Sequence, residues 1–149
     1  MIARTTPRTG PARSRLLYVE NHADSVMLVK SLLESRKDLQ LLHAAEANYG
    51  IELARTQRPE AILIDIDLAG MSALEFIRVL RADPGTEATP ILALGASASP
   101  EAIVKALEAG FFQVLAKPLQ AAPFMEALAF ALEFTAVERA EQNTFKESR

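Results

Sequence analysis

Four consecutive aliphatic residues, Ala61-Ile62-Leu63-Ile64, run without a polar break into Asp65, and a second carboxylate follows at Asp67 before Gly70 and Ser72 open a new apolar-periodic segment. An apolar run with no alternation reads as a strand buried on both faces, which is the habit of parallel sheets covered by helices on each side. A strand of this kind delivers its last side chain to the carboxyl edge of the sheet, where ligands collect in open α/β folds. Asp65 is therefore the first residue with a claim to function.

The flanking sequence supplies the rest of such a sheet. Leu16-Leu17-Tyr18-Val19 is a short apolar run ending in Glu20-Asn21-His22, and the helix after it, with Val26, Val29, Leu32 and Leu33 on one face, has Asp24 or Asn21 available as a cap. Residues 39–45 read as a second strand. Residues 47–57 read as a helix with Ile51, Leu53 and Ala54 inward, closed by Arg58-Pro59. After the central strand, a helix over about 72–82 carries Leu74, Ile77, Val79 and Leu80, and Asp83-Pro84-Gly85 turns the chain. Pro90 to Leu94 is the fourth strand, followed by the small-residue loop 95–99. Ser99 with Pro100 starts a helix that stops at Gly110. Residues 111–116 are the fifth strand, cut off at Lys117-Pro118, and a last helix runs from about Ala121 through Phe124, Leu128, Leu132 and Val137. Five strands alternating with five helices through short loops specify a three-layer, doubly wound α/β fold with a parallel sheet.

Bulk properties narrow the function. A chain of 149 residues, half of them hydrophobic, holds one core. Its net charge of −3 is uneven, because Met1 to Arg15 carries four arginines and no acid and leaves −7 for the remainder. The acidic body offers no nucleic-acid surface, and residues 1–13 read as a flexible basic tail. The absence of cysteine excludes a thiolate metal site and suits a cytoplasmic location, and no apolar run approaches the roughly 18 residues that span a bilayer.

Collected at the carboxyl edge, the strand ends contribute Glu20 and Asn21, Asp65 and Asp67, Gly95 and Ala96, and Lys117. Carboxylate and amide oxygens in one crevice opposite an ammonium are the composition of a Mg²⁺ and phosphoryl site. His22 and His43 have no partner at ligand spacing and read as ordinary polar residues.

From Arg15 to Val137 the chain resembles the response-regulator receiver domains of two-component signalling. The resemblance rests on the pair Glu20-Asn21 after the first strand, Asp65 at the end of the third, Gly70-Met71 five and six residues beyond it, and Lys117-Pro118 after the fifth. It implies a flavodoxin-like (βα)₅ fold with strand order 2-1-3-4-5 and a receiver over 14–137, leaving 138–149 as a helical extension or linker. It further implies Asp65 as phosphoacceptor, Lys117 as its counter-charge, and Mg²⁺ held by Asp65, Asn21 and the backbone carbonyl of Asp67, with Glu20 in support. A cis Lys117-Pro118 bond is also implied, as are a histidine kinase or phosphotransfer protein as partner and no enzymatic activity of its own.

Three positions depart from the family pattern. Asn21 replaces a carboxylate, which weakens Mg²⁺ binding, while the carboxylate of Asp67 is a candidate compensation. Gly95, preceding Ala96, lacks the hydroxyl that grips the phosphoryl group, with Ser97 as a distant substitute, and Val114 lacks the aromatic ring that turns with activation. The expectation is a weakly switched phosphoacceptor. The alternatives are a receiver used only for protein interaction, dimerising through its last helices, and a phosphatase of haloacid-dehalogenase type built on Asp65-Ile66-Asp67.

Overall fold

The computed structural model describes residues 13–68, 70–96 and 99–147, with the side chains of 145–147 excepted. The basic tail expected over 1–13 and the proposed role of Ser97 thus fall outside the described residues, apart from Arg13, which donates a 2.7 Å hydrogen bond to the carbonyl of Leu39.

Ten elements alternate strictly: β1 (Ser14–Val19), α1 (Ala23–Leu33), β2 (Leu39–Ala44), α2 (Ala47–Gln57), β3 (Ala61–Asp65), α3 (Ala73–Arg81), β4 (Ile91–Gly95), α4 (Pro100–Ala109), β5 (Gln113–Ala116) and α5 (Ala121–Glu147). The five strands form one sheet in the order β2-β1-β3-β4-β5, and every pairing is parallel. This is the flavodoxin-like (βα)₅ arrangement expected from the sequence. β3 lies at its centre, and all five of its residues are buried.

Alternation along the strands divides the interior in two. Leu16, Tyr18, Leu63, Leu92 and Leu94 point to a layer closed by α1 and α5 through Val26, Val29, Phe124 and Leu128. Leu17, Val19, Ile62, Ile64 and Ala93 point to the opposite layer, closed by α2 and α3 through Ile51, Phe76, Ile77 and Leu80. Parallel strands need this double cover, since burying each large aliphatic side chain stabilises by about 1.5–3 kcal/mol and both faces carry them. α4 is the exception, because it has no fully buried residue and leaves Val104 and Leu107 exposed.

Most helix ends follow the sequence. Ser72 Oγ accepts from the Glu75 N–H and Ser99 Oγ from the Ala102 N–H, while Gly110 closes α4 at φ 109°. Other details differ. α1 takes neither Asn21 nor Asp24 as a cap; its N-cap is His22, whose side chain makes no capping bond. The carboxylate of Glu20 receives the His22 N–H instead, a requirement of the pocket rather than of the helix. β5 starts at Gln113 rather than Phe111, because the Phe111 N–H still bonds the carbonyl of Ala106 behind the glycine stop. In α3 Phe76, not Leu74, enters the core, and Leu74 stays half exposed. The last helix buries Phe124, Ala127, Leu128, Ala131 and Thr135 but leaves Val137 exposed. It continues unbroken to Glu147, and is tied to the domain where Thr135 Oγ1 donates to the carbonyl of Glu60 at 2.6 Å and Arg139 pairs with the Glu60 carboxylate.

Candidate functional site

Parallel order brings the carboxyl ends of β1, β3, β4 and β5 to one edge, so residues distant in sequence meet there. Asp65, the last residue of β3, is 3% exposed. Lys117, just past β5, reaches it across the edge with Nζ 2.8 Å from Asp65 Oδ1. The Lys117-Pro118 bond is cis, as the resemblance implied. The Asp67 N–H donates to the same Oδ1 at 2.9 Å. Burial raises the pKa of the Asp65 carboxyl, but the ammonium of Lys117 and the Asp67 N–H outweigh it and hold the group below its ordinary range. Lys117 mirrors this: burial lowers its pKa, and Asp65 and Asp67 together push it above the ordinary value.

Asp67 does more than offer a backbone carbonyl. Its half-exposed carboxylate accepts from Lys117 Nζ at 3.1 Å and from the Ala96 N–H at 3.2 Å. One side chain of the β3–α3 loop therefore ties down both the lysine and the loop after β4. The sequence signal for this was present in the second carboxylate of Asp65-Ile66-Asp67, although spacing alone does not say whether that group turns to solvent or inward.

The other half of the pocket is built on β1. Glu20 is fully buried, with Oε1 accepting from the Tyr18 hydroxyl at 2.9 Å and Oε2 receiving the backbone N–H of His22 at 3.2 Å. Burial, reinforced by Glu20, pushes the Tyr18 phenol well above its ordinary pKa, so it is a permanent donor. Both histidines, read as ordinary from the sequence, belong here. His22 Nδ1 lies 3.2 Å from Glu20 Oε2, and His43 Nε2 donates to the carbonyl of Glu20 at 2.7 Å. The role of His43 was not legible, because its partner lies 23 residues away and only the folded sheet supplies it, and that of His22 depends on Asp65 from another strand. Asn21 is exposed beside them. Gly95 is buried at the end of β4, its carbonyl bonded to the Lys117 N–H at 3.0 Å, and Val114 is half buried in β5 beside Ala93.

Two buried carboxylates and one ammonium leave this edge net negative and rich in oxygen. Buried charges need compensation, and a hard divalent cation fits a pocket of that chemistry. Ligand atoms of Glu20, His22 and Asp65 lie within 4.8 Å of one another.

Residues 16–129 match the response regulator receiver domain family. Over 117 residues the chain is 30% identical to the sensory/regulatory protein RpfC of Xanthomonas campestris pv. campestris, an alignment covering 77% of this chain and 16% of that protein. The chain thus spans a small fraction of that relative's length. A signal receiver domain from Vibrio parahaemolyticus superposes with a TM-score of 0.79 at 21% identity, covering 86% of this chain and 96% of that one. The receiver domain of the sensor histidine kinase PA1611 from Pseudomonas aeruginosa PAO1, solved with a magnesium ion coordinated in its active-site cleft, superposes at 0.71 with 26% identity over 84% of this chain and 99% of that one.

Proposed function

The chain belongs to the response regulator receiver family, and on that premise we propose that it is a phosphoacceptor in two-component signalling, with Asp65 taking a phosphoryl group from a phosphohistidine of a histidine kinase or phosphotransfer protein. In that transfer a carboxylate oxygen of Asp65 forms the new bond to phosphorus. The phosphorus–nitrogen bond of the donor breaks, and the departing imidazole takes a proton from solvent. Lys117 neutralises charge on the phosphoryl oxygens and the Asp67 N–H orients the attacking carboxylate. Glu20, Asp65, the Asp67 carbonyl and Asn21 would hold Mg²⁺, which supplies further neutralisation of the transferred group.

One observation carries the reading: a nearly buried carboxylate at the sheet edge, held in its ionised form by an ammonium 2.8 Å away. Incubation with acetyl phosphate and Mg²⁺ is expected to add one phosphoryl mass to the intact chain, lost in Asp65→Asn. No mass gain, together with no beryllofluoride binding, overturns it.

Output is weakly switched on this reading. Gly95 offers no hydroxyl to a phosphoryl oxygen and so forgoes a hydrogen bond to a charged group, on the order of 1.5–3 kcal/mol, against the roughly 5.5 kcal/mol that a full two-state reversal requires. Val114 has no ring to turn. The second reading, a receiver acting through protein contact alone, draws support from Lys117 already being held by two carboxylates. Under it, Asp65→Asn leaves partner binding unchanged. In both readings residues 14–137 form the receiver unit and 138–149 an extension or linker, of which the part up to Glu147 continues the last helix and is a candidate homodimer contact.

A further inference from the structure

The pocket differs from an all-oxygen cation site in one respect that the geometry makes specific. The imidazole of His22 stands at its mouth, with Nδ1 3.2 Å from Glu20 Oε2 and within 4.8 Å of a ligand atom of Asp65, while the neighbouring Asn21 contributes no charge. Both carboxylates facing this nitrogen are buried, Glu20 completely. Asp65 directs Oδ1 to Lys117 and the Asp67 N–H, and its carboxyl also lies within hydrogen-bonding reach of that of Glu20. Two buried carboxylates set side by side are a costly arrangement unless a cation completes them. His22 is 74% exposed on its side chain, so the ring can turn toward the pair without displacing packed neighbours.

We propose that His22 is a metal ligand and that the Glu20–His22–Asp65 pocket selects a divalent transition metal of borderline softness, of the Co²⁺, Ni²⁺ or Zn²⁺ class, over Mg²⁺. The inference rests on the reading that this pocket takes a divalent cation, but it names a different ion and a different ligand. Mg²⁺ demands oxygen donors in near-octahedral geometry and gains little from an imidazole. Co²⁺, Ni²⁺ and Zn²⁺ bind imidazole nitrogen strongly, at about 2.0–2.1 Å in the case of zinc, and a mixed set of one nitrogen and two carboxylate oxygens suits them. In the Nε2–H tautomer the Nδ1 lone pair is available to the metal, and the Glu20–Nδ1 contact becomes a pair of neighbouring ligands. The other histidine of the chain does not compete, because His43 Nε2 is engaged with the Glu20 carbonyl at 2.7 Å.

The test uses the full chain without a polyhistidine tag, titrated with Co²⁺ and with Mg²⁺ by calorimetry, with the visible absorption of bound Co²⁺ as a second readout. His22→Gln is expected to lower Co²⁺ affinity at least tenfold and to shift its d–d bands, with Mg²⁺ affinity unchanged within twofold and His43→Gln without effect on the bands. Equal Co²⁺ affinity and an identical spectrum in wild type and His22→Gln overturn the proposal. A parallel loss for both metals also overturns it, because His22 then acts only by positioning Glu20. Acetyl phosphate labelling run alongside separates the two ideas. Intact labelling together with Co²⁺ binding that does not depend on His22 refutes this inference alone, whereas His22-dependent Co²⁺ binding without labelling refutes the phosphoacceptor reading alone.

Discussion

Replacing Asp67 by Asn takes one unit of charge away from an ammonium that serves two carboxylates, and leaves a side-chain oxygen for the Ala96 N–H. In the wild-type chain Asp67 Oδ2 sits 3.1 Å from Lys117 Nζ and is 51% exposed. A phosphoryl group on Asp65, or beryllofluoride in its place, must draw on that same ammonium and stand beside the Asp67 charge. Two unit charges about 4 Å apart interact by about 1 kcal/mol in water, the appropriate limit for a half-exposed group. Beryllofluoride or a phosphoryl group adds one negative charge to the one Asp65 already carries, and is therefore opposed by about 1 kcal/mol, roughly a fivefold effect at 1.4 kcal/mol per tenfold. Asp67→Asn is expected to tighten beryllofluoride binding by about fivefold at saturating divalent metal, measured by fluorine NMR, and to speed labelling by acetyl phosphate. Ionic strength separates this electrostatic effect from a steric one, since added salt should narrow the gap between variant and wild type. Affinity within twofold of wild type, or weaker, refutes the reasoning, because Asp67 would then be helping the site rather than competing within it.

Stability should vary with pH at both ends of the ion pair. The folded pKa of Asp65 is lowered, so its contribution is present above the ordinary carboxylate value of 3.8 and is lost as pH falls below it; Asp65→Asn should flatten that acid limb in calorimetric melting curves. Lys117 is raised, so its contribution persists up to its ordinary 10.5 and is lost as pH climbs beyond, and Lys117→Met should remove that alkaline limb. Gly50→Ala places a Cβ 2.8 Å from Val19 Cγ2, against a β-branched side chain with little rotamer freedom, and is expected to lower stability by about 1–3 kcal/mol in urea unfolding. Leu128→Ala opens a cavity where α5 meets the sheet and should cost about 2–5 kcal/mol, while an exposed change such as Val137→Ala should stay within about 0.5 kcal/mol.

Much of this protein is local in origin. The unbroken apolar runs at 16–19, 61–64 and 91–94 determine strands covered on both faces. Such strands require helices on each side of a parallel sheet, and parallel connections carry Asp65, Glu20 and Lys117 to one edge. Ser72, Ser99 and Gly110 mark their helix ends for the same reason, since caps act over three or four residues. What the sequence left open involves partners far along the chain. Asp67 meets Ala96 across 29 residues and Lys117 across 50, and His43 reaches the carbonyl of Glu20 across 23. His22 lies near Glu20 in sequence, but its place in the pocket depends on Asp65 from another strand. Periodicity and propensity report which face of an element is apolar and where it stops. They carry no information on which of several polar groups delivered to one edge will pair, because that choice is made by the spacing and twist of the assembled sheet, which hold donors and acceptors within reach only once every strand is in register.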